Sequence, residues 1–316
     1  SGGGGGGGSG GAIESGSAAA VLVDGGTGLG TEVPSGVMPF ELELAPGSRH
    51  RVGIPFAAGV LPTPACFAVT NDGRTMISCG HWDSTIKVIQ VDSGRQLQSV
   101  QQHKDIVTCV ALDAGATTLI TGSRDTTVIV WHLCRSGGAW RVQERPAHIL
   151  YGHNDEITSV AVSMELDVAL SGSKDGTCIV HTVRMGTYVR SLYHPAGATI
   201  DLVAISSRAH LLSYSRQDHT LRVHSINGTS LGAVDLQERL HTMLCTRNGQ
   251  FLLTGGYNAV LEVRRLPTLE VISRFRTTKA IRSLALTPEE NHVFIGLEDG
   301  QLLIISRSLI STTVRS

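Results

Sequence analysis

Six segments of the chain repeat one order of features: an alternating apolar run, a turn, a second run that ends in small residues, a polar turn and a third run. Two of them are "VTCVALDAGATTLITGSRDTTVIVWHL" at 107–133 and "ITSVAVSMELDVALSGSKDGTCIVHTV" at 157–183. The polar turn recurs after 42, 50, 43, 40 and 41 positions, at Asp83, Asp125, Asp175, Asp218, Asn258 and Asp299. A repeat of this length constrains the fold more than any other feature of the sequence.

A period of about 40–45 residues with four short strands per unit predicts a WD-type β-propeller. One small sheet cannot cover both of its faces, so the units must stack around a ring. The 316 residues could form two domains, but the repeat indicates one all-β domain over 38–316. We expect a seven-bladed ring that is incomplete in this segment; the alternative is a ring of six blades, which a strand from "PFELELA" at 39–45 could close. The glycine- and serine-rich residues 1–37 are interpreted as a flexible linker or disordered insertion.

Two repeats contain a histidine, hydroxyl residues and an acid, the residue types of a hydrolase triad. These residues, with one tryptophan, are His103, Thr121, Ser123, Asp125 and Trp131 in one repeat and His153, Ser171, Ser173 and Asp175 in the next. In a WD repeat the same types form a structural network, because a buried turn acid needs donors, which the loop histidine and one hydroxyl supply. A hydrolase needs one nucleophile in one pocket, so the repetition favours the structural network.

The tryptophan position of the repeat has diverged. The other five repeats have Ile89, His181, His224, Arg264 and Ser306 there. We therefore expect the later blades to depend on packing more than on this network.

Composition argues against several classes of function. The formal net charge is −1, which does not favour a nucleic-acid partner. No apolar run approaches the roughly 18 residues of a membrane span. The six cysteines lack C-x-x-C spacing, which favours buried free thiols. The stretch "VLVDGGTGLGTE" at 21–32 does not fit a phosphate-binding glycine loop, so we assign no cofactor, metal or catalytic residue.

The residue before each turn acid is expected at one mouth of the ring. With a neighbouring arginine, these residues are Trp82, Arg124, Lys174, Arg216, Gln217, Tyr257 and Glu298. Cations and aromatic rings together are typical of the centre of a protein interface. The candidate partner-binding face therefore consists of Trp82, Arg124, Lys174, Arg216 and Tyr257, and the alternative is an ordinary solvated surface.

The long connection at 132–153 is a second candidate surface and accounts for the spacing of 50 residues. It contains Trp140, which either is exposed to a partner or packs back against its own blade. We expect the packed arrangement.

Several stretches resemble the C-terminal propeller of the BEACH-domain family, the neurobeachin and LPS-responsive beige-like anchor group. They include "CGHWDSTIKVIQVDSGRQLQSVQQHKDIVTCVALD" at 79–113 and "GHNDEITSVAVSMELDVALSGSKDGTCIVHTV" at 152–183, and the resemblance covers roughly 55–310. It implies the tail of a very large protein in which a pleckstrin-homology-like domain and a BEACH domain precede the propeller. It also implies a non-catalytic scaffold in vesicle trafficking, lysosome or vacuole biogenesis, or autophagy.

The expected partners are other proteins, including the adjacent BEACH domain of the same polypeptide, and not nucleic acid. The expected location is the cytoplasm, with peripheral association to endolysosomal or vesicle membranes only through the full-length protein. One alternative is an unrelated WD-repeat adaptor, such as a ubiquitin-ligase substrate receptor or a chromatin reader. A propeller-fold enzyme is a further alternative, which is disfavoured because the acids belong to the repeat itself.

Overall fold

The computed structural model describes residues 20–23, 56–57, 63–194, 197–287 and 289–306. In these ranges the chain forms 25 strands in six sheets and a short 3-10 helix at Pro64–Cys66. The prediction of an all-β, WD-type propeller is confirmed. The described ranges contain six blades, the seventh blade stays a prediction, and the strand expected at 39–45 lies outside the described residues.

Each blade is an antiparallel sheet, and in the first five blades the strands follow one another in the chain. The first three blades comprise β2 (Phe67–Val69), β3 (Thr75–Ser78), β4 (Thr85–Gln90) and β5 (Gln96–Gln101); β6 (Val107–Leu112), β7 (Thr118–Ser123), β8 (Val128–Ser136), β9 (Ala139–Val142) and β10 (His148–Leu150); and β11 (Ile157–Ser163), β12 (Val168–Ser173), β13 (Thr177–His181) and β14 (Tyr188–Tyr193). The last three comprise β15 (Leu202–Ile205), β16 (His210–Tyr214), β17 (Thr220–Ser225) and β18 (Ser230–Asp235); β19 (Leu240–Cys245), β20 (Phe251–Gly256), β21 (Val260–Arg265) and β22 (Val271–Arg276); and β23 (Ile281–Leu286), β24 (His292–Leu297), β25 (Leu302–Ser306) and β1 (Ala20–Val23).

The sixth blade takes its outermost strand from the other end of the sequence. Strand β1 pairs with β25 in antiparallel register, from Ala20 opposite Ile305 to Val23 opposite Leu302. The interpretation of 1–37 as a linker did not include a strand at 20–23. A four-residue apolar run is too short to identify as a strand by itself, whereas the edge of β25 offers backbone groups that need hydrogen-bond partners.

The hydrophobic core lies between blades rather than within them. Each of five clusters of buried side chains joins two successive blades. Ile157 on the inner strand of the third blade, for example, belongs to one cluster with Ile120 and Val130 of the second. A blade therefore covers its apolar face only when its neighbour is in place.

Glycine on the second strand of three blades allows the next blade to approach closely. Gly122, Gly172 and Gly255 occupy the same position of the repeat. A Cβ on Gly172 would lie 2.6 Å from Ile200 Cγ2, and a Cβ on Gly255 would lie 2.6 Å from Ile281 Cγ2. Both distances are shorter than any normal carbon–carbon contact, so this position sets the spacing between blades.

Candidate functional site

The second blade contains a complete hydrogen-bond chain from tryptophan to acid. Trp131 Nε1 donates to Thr121 Oγ1 at 3.0 Å, and Thr121 Oγ1 lies 2.8 Å from His103 Nε2. His103 Nδ1 is 3.0 Å from Asp125 Oδ2, and the hydroxyl of Thr127 donates to Asp125 Oδ1 at 2.6 Å. Because the ionised carboxylate can only accept, His103 donates to it from Nδ1, and Thr121, which accepts from the indole, donates to Nε2 of His103.

This network ties the loop that leads into the blade, here called the leading loop, to the turn. Asp125 Oδ2 also accepts the backbone N–H of Lys104, and Ser123 Oγ donates to the carbonyl of Ile106 at 2.9 Å. Burial alone would raise the pKa of Asp125, but the hydrogen bonds from His103 and Thr127 hold it well below its usual range. The carboxylate is therefore charged and saturated with donors, which suits a structural role.

The third blade repeats this arrangement with one difference. His153 Nε2 lies 2.8 Å from Ser171 Oγ, and His153 Nδ1 lies 3.2 Å from Asp175 Oδ2. Ser173 Oγ donates to a leading-loop carbonyl at 3.0 Å, as Ser123 does in the second blade. His181, at the tryptophan position, donates instead to the carbonyl of Tyr151 at 3.2 Å. Of the two candidate hydroxyls in each blade, the first joins the histidine chain and the second fixes the loop.

The fourth blade contains a leading-loop histidine that sequence reasoning missed. His194 is buried, and its Nε2 lies 2.8 Å from Ser213 Oγ. It precedes the turn acid Asp218 by 24 residues, whereas the histidines of the second and third blades precede theirs by 22. Because its loop is longer, this histidine does not fit the spacing of the other two and was not identified from the sequence. Asp218 Oδ1 accepts the hydroxyl and the backbone N–H of Thr220 at 2.7 and 3.0 Å.

The first blade replaces the histidine with a buried lysine on its third strand. Lys87 has no exposed surface, and its Nζ lies 3.3 Å from Asp83 Oδ2. Asp83 Oδ1 also accepts the hydroxyl of Thr85 at 2.7 Å. The signal in the sequence was a lysine inside the apolar run "TIKVIQ", where an unpaired charge would be costly.

The fifth blade reverses the direction of the hydrogen bond between loop and turn. The buried acid Glu238 stands in the leading loop, and its Oε1 accepts the backbone N–H of Asn258 in the turn at 3.1 Å. In the second blade the turn supplies the acid and the loop supplies the N–H. Burial raises the pKa of Glu238. Arg264, at the tryptophan position, donates to the carbonyl of Leu269 at 3.0 Å and forms an ion pair with Glu262.

The sixth blade has a threonine in place of the histidine. Thr277 precedes Asp299 by 22 residues and donates to the carbonyl of Ala259 at 3.0 Å. The tryptophan position is also different from the expected one: the register of β24 and β25 places Ile305 there, and not Ser306. The extra apolar residue in "LLIIS" shifted the alignment by one position. The second and third turns are thus held by the same kind of network and the first, fourth and fifth by other contacts, while Thr277 bonds to the turn of the fifth blade rather than to Asp299.

A channel of about 600 Å³ lies between the inner strands, and its lining includes residues of all six repeats, from Cys66 to Leu284. At one mouth, Glu156 lies between two cations of the candidate face. Arg124 Nε is 3.4 Å from Glu156 Oε2, and Lys174 forms an ion pair with Glu156 Oε1. The side chain of Lys174 is 48% exposed and that of Glu156 is 21% exposed, so the cation is more accessible than the acid.

The charged belt continues around the mouth. Arg216 lies 3.7 Å from Asp201 Oδ1 and donates through Nε to the carbonyl of Leu240 at 3.1 Å. Burial raises the pKa of Asp201, although Arg216 acts in the opposite direction. Arg282 forms an ion pair with Glu298 and lies 3.3 Å from His241 Nε2. Sequence reasoning placed Glu298 at this mouth but missed Asp201, Arg282 and His241, because these stand in other parts of the repeat.

The two aromatic residues of the candidate face do not line the channel. Trp82 and Tyr257 are 64% and 67% exposed, in the turns of the first and fifth blades. They stand outside the charged belt and present their rings to solvent. Gln217, between them in the series, uses its side-chain oxygen to accept the backbone N–H of Thr199 at 3.4 Å.

The long connection at 132–153 packs inward, as expected, but onto the neighbouring blade as well as its own. Its strand β9 pairs with β8, and the buried Trp140 donates from Nε1 to Asp72 Oδ2 of the first blade at 3.0 Å. The side-chain amide of Gln98 pairs with both backbone groups of Val142 at 2.8 and 3.0 Å. This connection therefore joins the second blade to the first.

The described ranges contain no group of three or more histidine, cysteine or acidic side chains placed to hold a metal ion. They also contain no helix that is long and apolar enough to cross a membrane.

Comparisons with known proteins confirm the resemblance. The neurobeachin beta propeller domain family matches residues 47–313. BEACH domain-containing protein B of Arabidopsis thaliana is 38% identical over 277 residues, which is 82% of this chain and 11% of the relative. BEACH domain-containing protein lvsE of Dictyostelium discoideum is 31% identical over 296 residues, 86% of this chain and 13% of the relative. A putative neurobeachin homolog of Caenorhabditis elegans is 26% identical over 273 residues, 83% of this chain and 11% of the relative.

A solved structure shows the same fold. A chain in the crystal structure of a mitotic checkpoint complex has a TM-score of 0.64 and 14% sequence identity, and the match covers 76% of this chain and 73% of that one. Likeness at this level of identity concerns the fold alone. The chain spans only 11% to 13% of the length of the relatives named above.

Proposed function

The chain belongs to the BEACH-domain family as a propeller of the neurobeachin type, and from this membership we propose that it is a non-catalytic scaffold for protein interactions. Its role would lie in vesicle trafficking, in lysosome or vacuole biogenesis, or in autophagy. It would act in the cytoplasm, at endolysosomal or vesicle membranes that it reaches only through the full-length protein. Family membership favours this function over a ubiquitin-ligase receptor or a chromatin reader, and the names of the matched relatives indicate no catalytic activity.

The charged mouth is the observation that supports a binding role most directly. Glu156 and Asp201 are about one-fifth exposed, while the cations beside them, Arg124, Lys174 and Arg216, are between 34% and 48% exposed. A partner would therefore meet the cations first. We propose that this mouth receives an acidic segment of a partner protein, with the ring of Trp82 or Tyr257 packing at its edge.

The adjacent BEACH domain of the same polypeptide is one candidate partner. A propeller placed next to it in the chain would meet it at a high effective concentration, so even a weak mouth contact would be occupied. Separate trafficking proteins are the other candidates.

The test compares two triple variants of the whole chain. Arg124→Glu with Lys174→Glu and Arg216→Glu reverses the mouth cations; the matched control is Arg95→Glu with Arg184→Glu and Arg276→Glu, which reverses three exposed cations elsewhere. We expect quantitative affinity capture to show at least a tenfold loss of specific partners for the mouth variant alone. In cells, the full-length mouth variant should leave vesicle membranes while the control stays. Equal capture and location for both variants would overturn the proposal.

A further inference from the structure

Two buried cysteines lie opposite each other in the first blade: Cys66 ends the 3-10 helix just before β2, and Cys79 directly follows β3. Residue pairs Phe67–Ser78 and Ala68–Ile77 lie opposite each other in β2 and β3, so the next pair along the ladder is Cys66 and Cys79. The backbone N–H of Cys79 donates to the carbonyl of Cys66 at 2.9 Å, as this register requires. Both side chains are buried in one hydrophobic cluster, and Cys66 lines the channel.

The second blade shows how close side chains come at this position. There the corresponding pair is Cys109 and Gly122, and a Cβ on Gly122 would lie 2.8 Å from the sulfur of Cys109. In the first blade Cys79 stands at the glycine position and carries that Cβ. Directly opposite residues of an antiparallel pair have Cα atoms about 4.5 to 5.5 Å apart, which is within the range of a disulfide.

We propose that Cys66 and Cys79 are a redox-modification site, which a hydroperoxide oxidises to a disulfide between the residue before β2 and the residue after β3. This inference goes beyond the proposed scaffold function. Cys109, the equivalent residue of the second blade, belongs to a different cluster, with Ile120 and Ile157, and we expect it to take no part in the link.

The two thiols differ in the way that such a reaction needs. The hydrogen bond from Cys79 lowers the pKa of the Cys66 thiol to about 6, while burial raises the pKa of Cys79. Cys66 therefore gives up its proton more readily than Cys79, and the thiolate is the form that reacts with peroxides.

The reaction balances in two steps. The Cys66 thiolate attacks the terminal oxygen of the hydroperoxide, the O–O bond breaks, and the sulfur is oxidised to sulfenic acid; the alkoxide or hydroxide that leaves takes a proton from solvent to become an alcohol or water. The sulfur of Cys79 then attacks the Cys66 sulfur. The S–S bond forms, the S–O bond breaks, and the departing hydroxide takes the Cys79 proton to leave as water. The peroxide gains the two electrons that the thiols lose.

Trypsin separates the cysteines, since cleavage after Arg51, Arg74 and Lys87 places Cys66 in 52–74 and Cys79 in 75–87. The whole wild-type chain is treated with graded hydrogen peroxide, blocked with a thiol reagent and digested. We expect peptides 52–74 and 75–87 linked together, with the link removed by dithiothreitol. Alkylation of Cys66 against pH should have its midpoint near 6 rather than near the ordinary thiol value.

Variants then assign the roles. Cys79→Ser should stop the reaction at the Cys66 sulfenic acid, which dimedone captures, and Cys109→Ser, the matched control, should still form the link at the wild-type peroxide concentration. Because the first experiment needs only wild-type protein, a variant that fails to fold does not decide the matter. Links to Cys109, or alkylation of Cys66 without any link to Cys79 after peroxide treatment, would overturn the proposal.

Discussion

The second and fifth blades hold the same loop against the same turn by opposite means. In the second blade the acid Asp125 is in the turn and accepts a backbone N–H from the loop. In the fifth, Glu238 is in the loop and accepts a backbone N–H from the turn at Asn258. The geometry of the blade requires a hydrogen-bond donor and an acceptor where the loop meets the turn. Either segment can supply the acid.

The difference also has an energetic side. Asp125 accepts hydrogen bonds from a histidine, a threonine and the backbone, and these stabilise its charge. Glu238 is buried near another acid, Glu262, and its pKa is raised, so its charge is disfavoured. Ionisation of Asp125 therefore stabilises the second blade, whereas ionisation of Glu238 is disfavoured in the fifth.

The largest expected loss of stability comes from a substitution that breaks the network of the second blade. We expect Asp125→Ala to lower the free energy of unfolding by about 3 kcal/mol, because it leaves several buried donors without an acceptor. Asn258→Ala, at the same turn position of the fifth blade, should cost less than about 0.5 kcal/mol, since this side chain is exposed and only its backbone N–H is used. Urea unfolding of the two variants measures both values. Equal losses would mean that the networks of the two blades do not differ as described.

A smaller effect extends the comparison to the first blade. Lys87→Met should cost about 2 kcal/mol, because it leaves Asp83 with a partly buried, uncompensated charge. Adding Asp83→Asn should recover a substantial part of the loss. The control is Arg274→Met, which removes an exposed cation from Glu262 and should cost less than about 1 kcal/mol. Denaturant unfolding measures all three, and a double variant no more stable than Lys87→Met would contradict the ion pair.

The smallest effects concern pH, and the fourth and fifth blades should differ in sign. Burial lowers the pKa of His194 to about 4, so between pH 6.5 and 4 the unfolded chain binds more protons and stability falls as the pH falls. The raised pKa of Glu238 has the reverse consequence: its contribution is lost as the pH rises above the unfolded value of 4.5.

Midpoints of urea unfolding between pH 4 and 8 test both slopes. His194→Gln should flatten the decline below pH 6.5, by an amount equivalent to a few degrees in melting temperature. Glu238→Gln should instead remove a loss that appears toward neutral pH, and it keeps an oxygen for the N–H of Asn258. If both variants changed the profile in the same direction, the contrast between these two blades would be wrong.

Sequence reasoning identified the repeat, the blade order and the residues of the second and third networks because those features recur at fixed spacing. His194 escaped because its loop is two residues longer, and Lys87 and Glu238 escaped because they belong to other positions of the repeat. Part of the charged belt at the mouth could be predicted from the sequence, since Arg124, Lys174 and Arg216 precede or neighbour turn acids. The other part could not, because Glu156, Asp201 and Arg282 come from the ends of inner strands. Contacts between different repeats have no fixed spacing in the chain.

The sequence by itself determined that this chain is a propeller of a known family, because alternation and a period of about 40 residues are properties of single segments. The tertiary structure alone decided how each turn is anchored, that β1 completes the sixth blade, that Trp140 joins two blades, and that Cys66 faces Cys79. These features depend on groups that become neighbours only when blades stack. Different donor and acceptor residues can therefore occupy these positions, as long as each buried polar group has a hydrogen-bond partner.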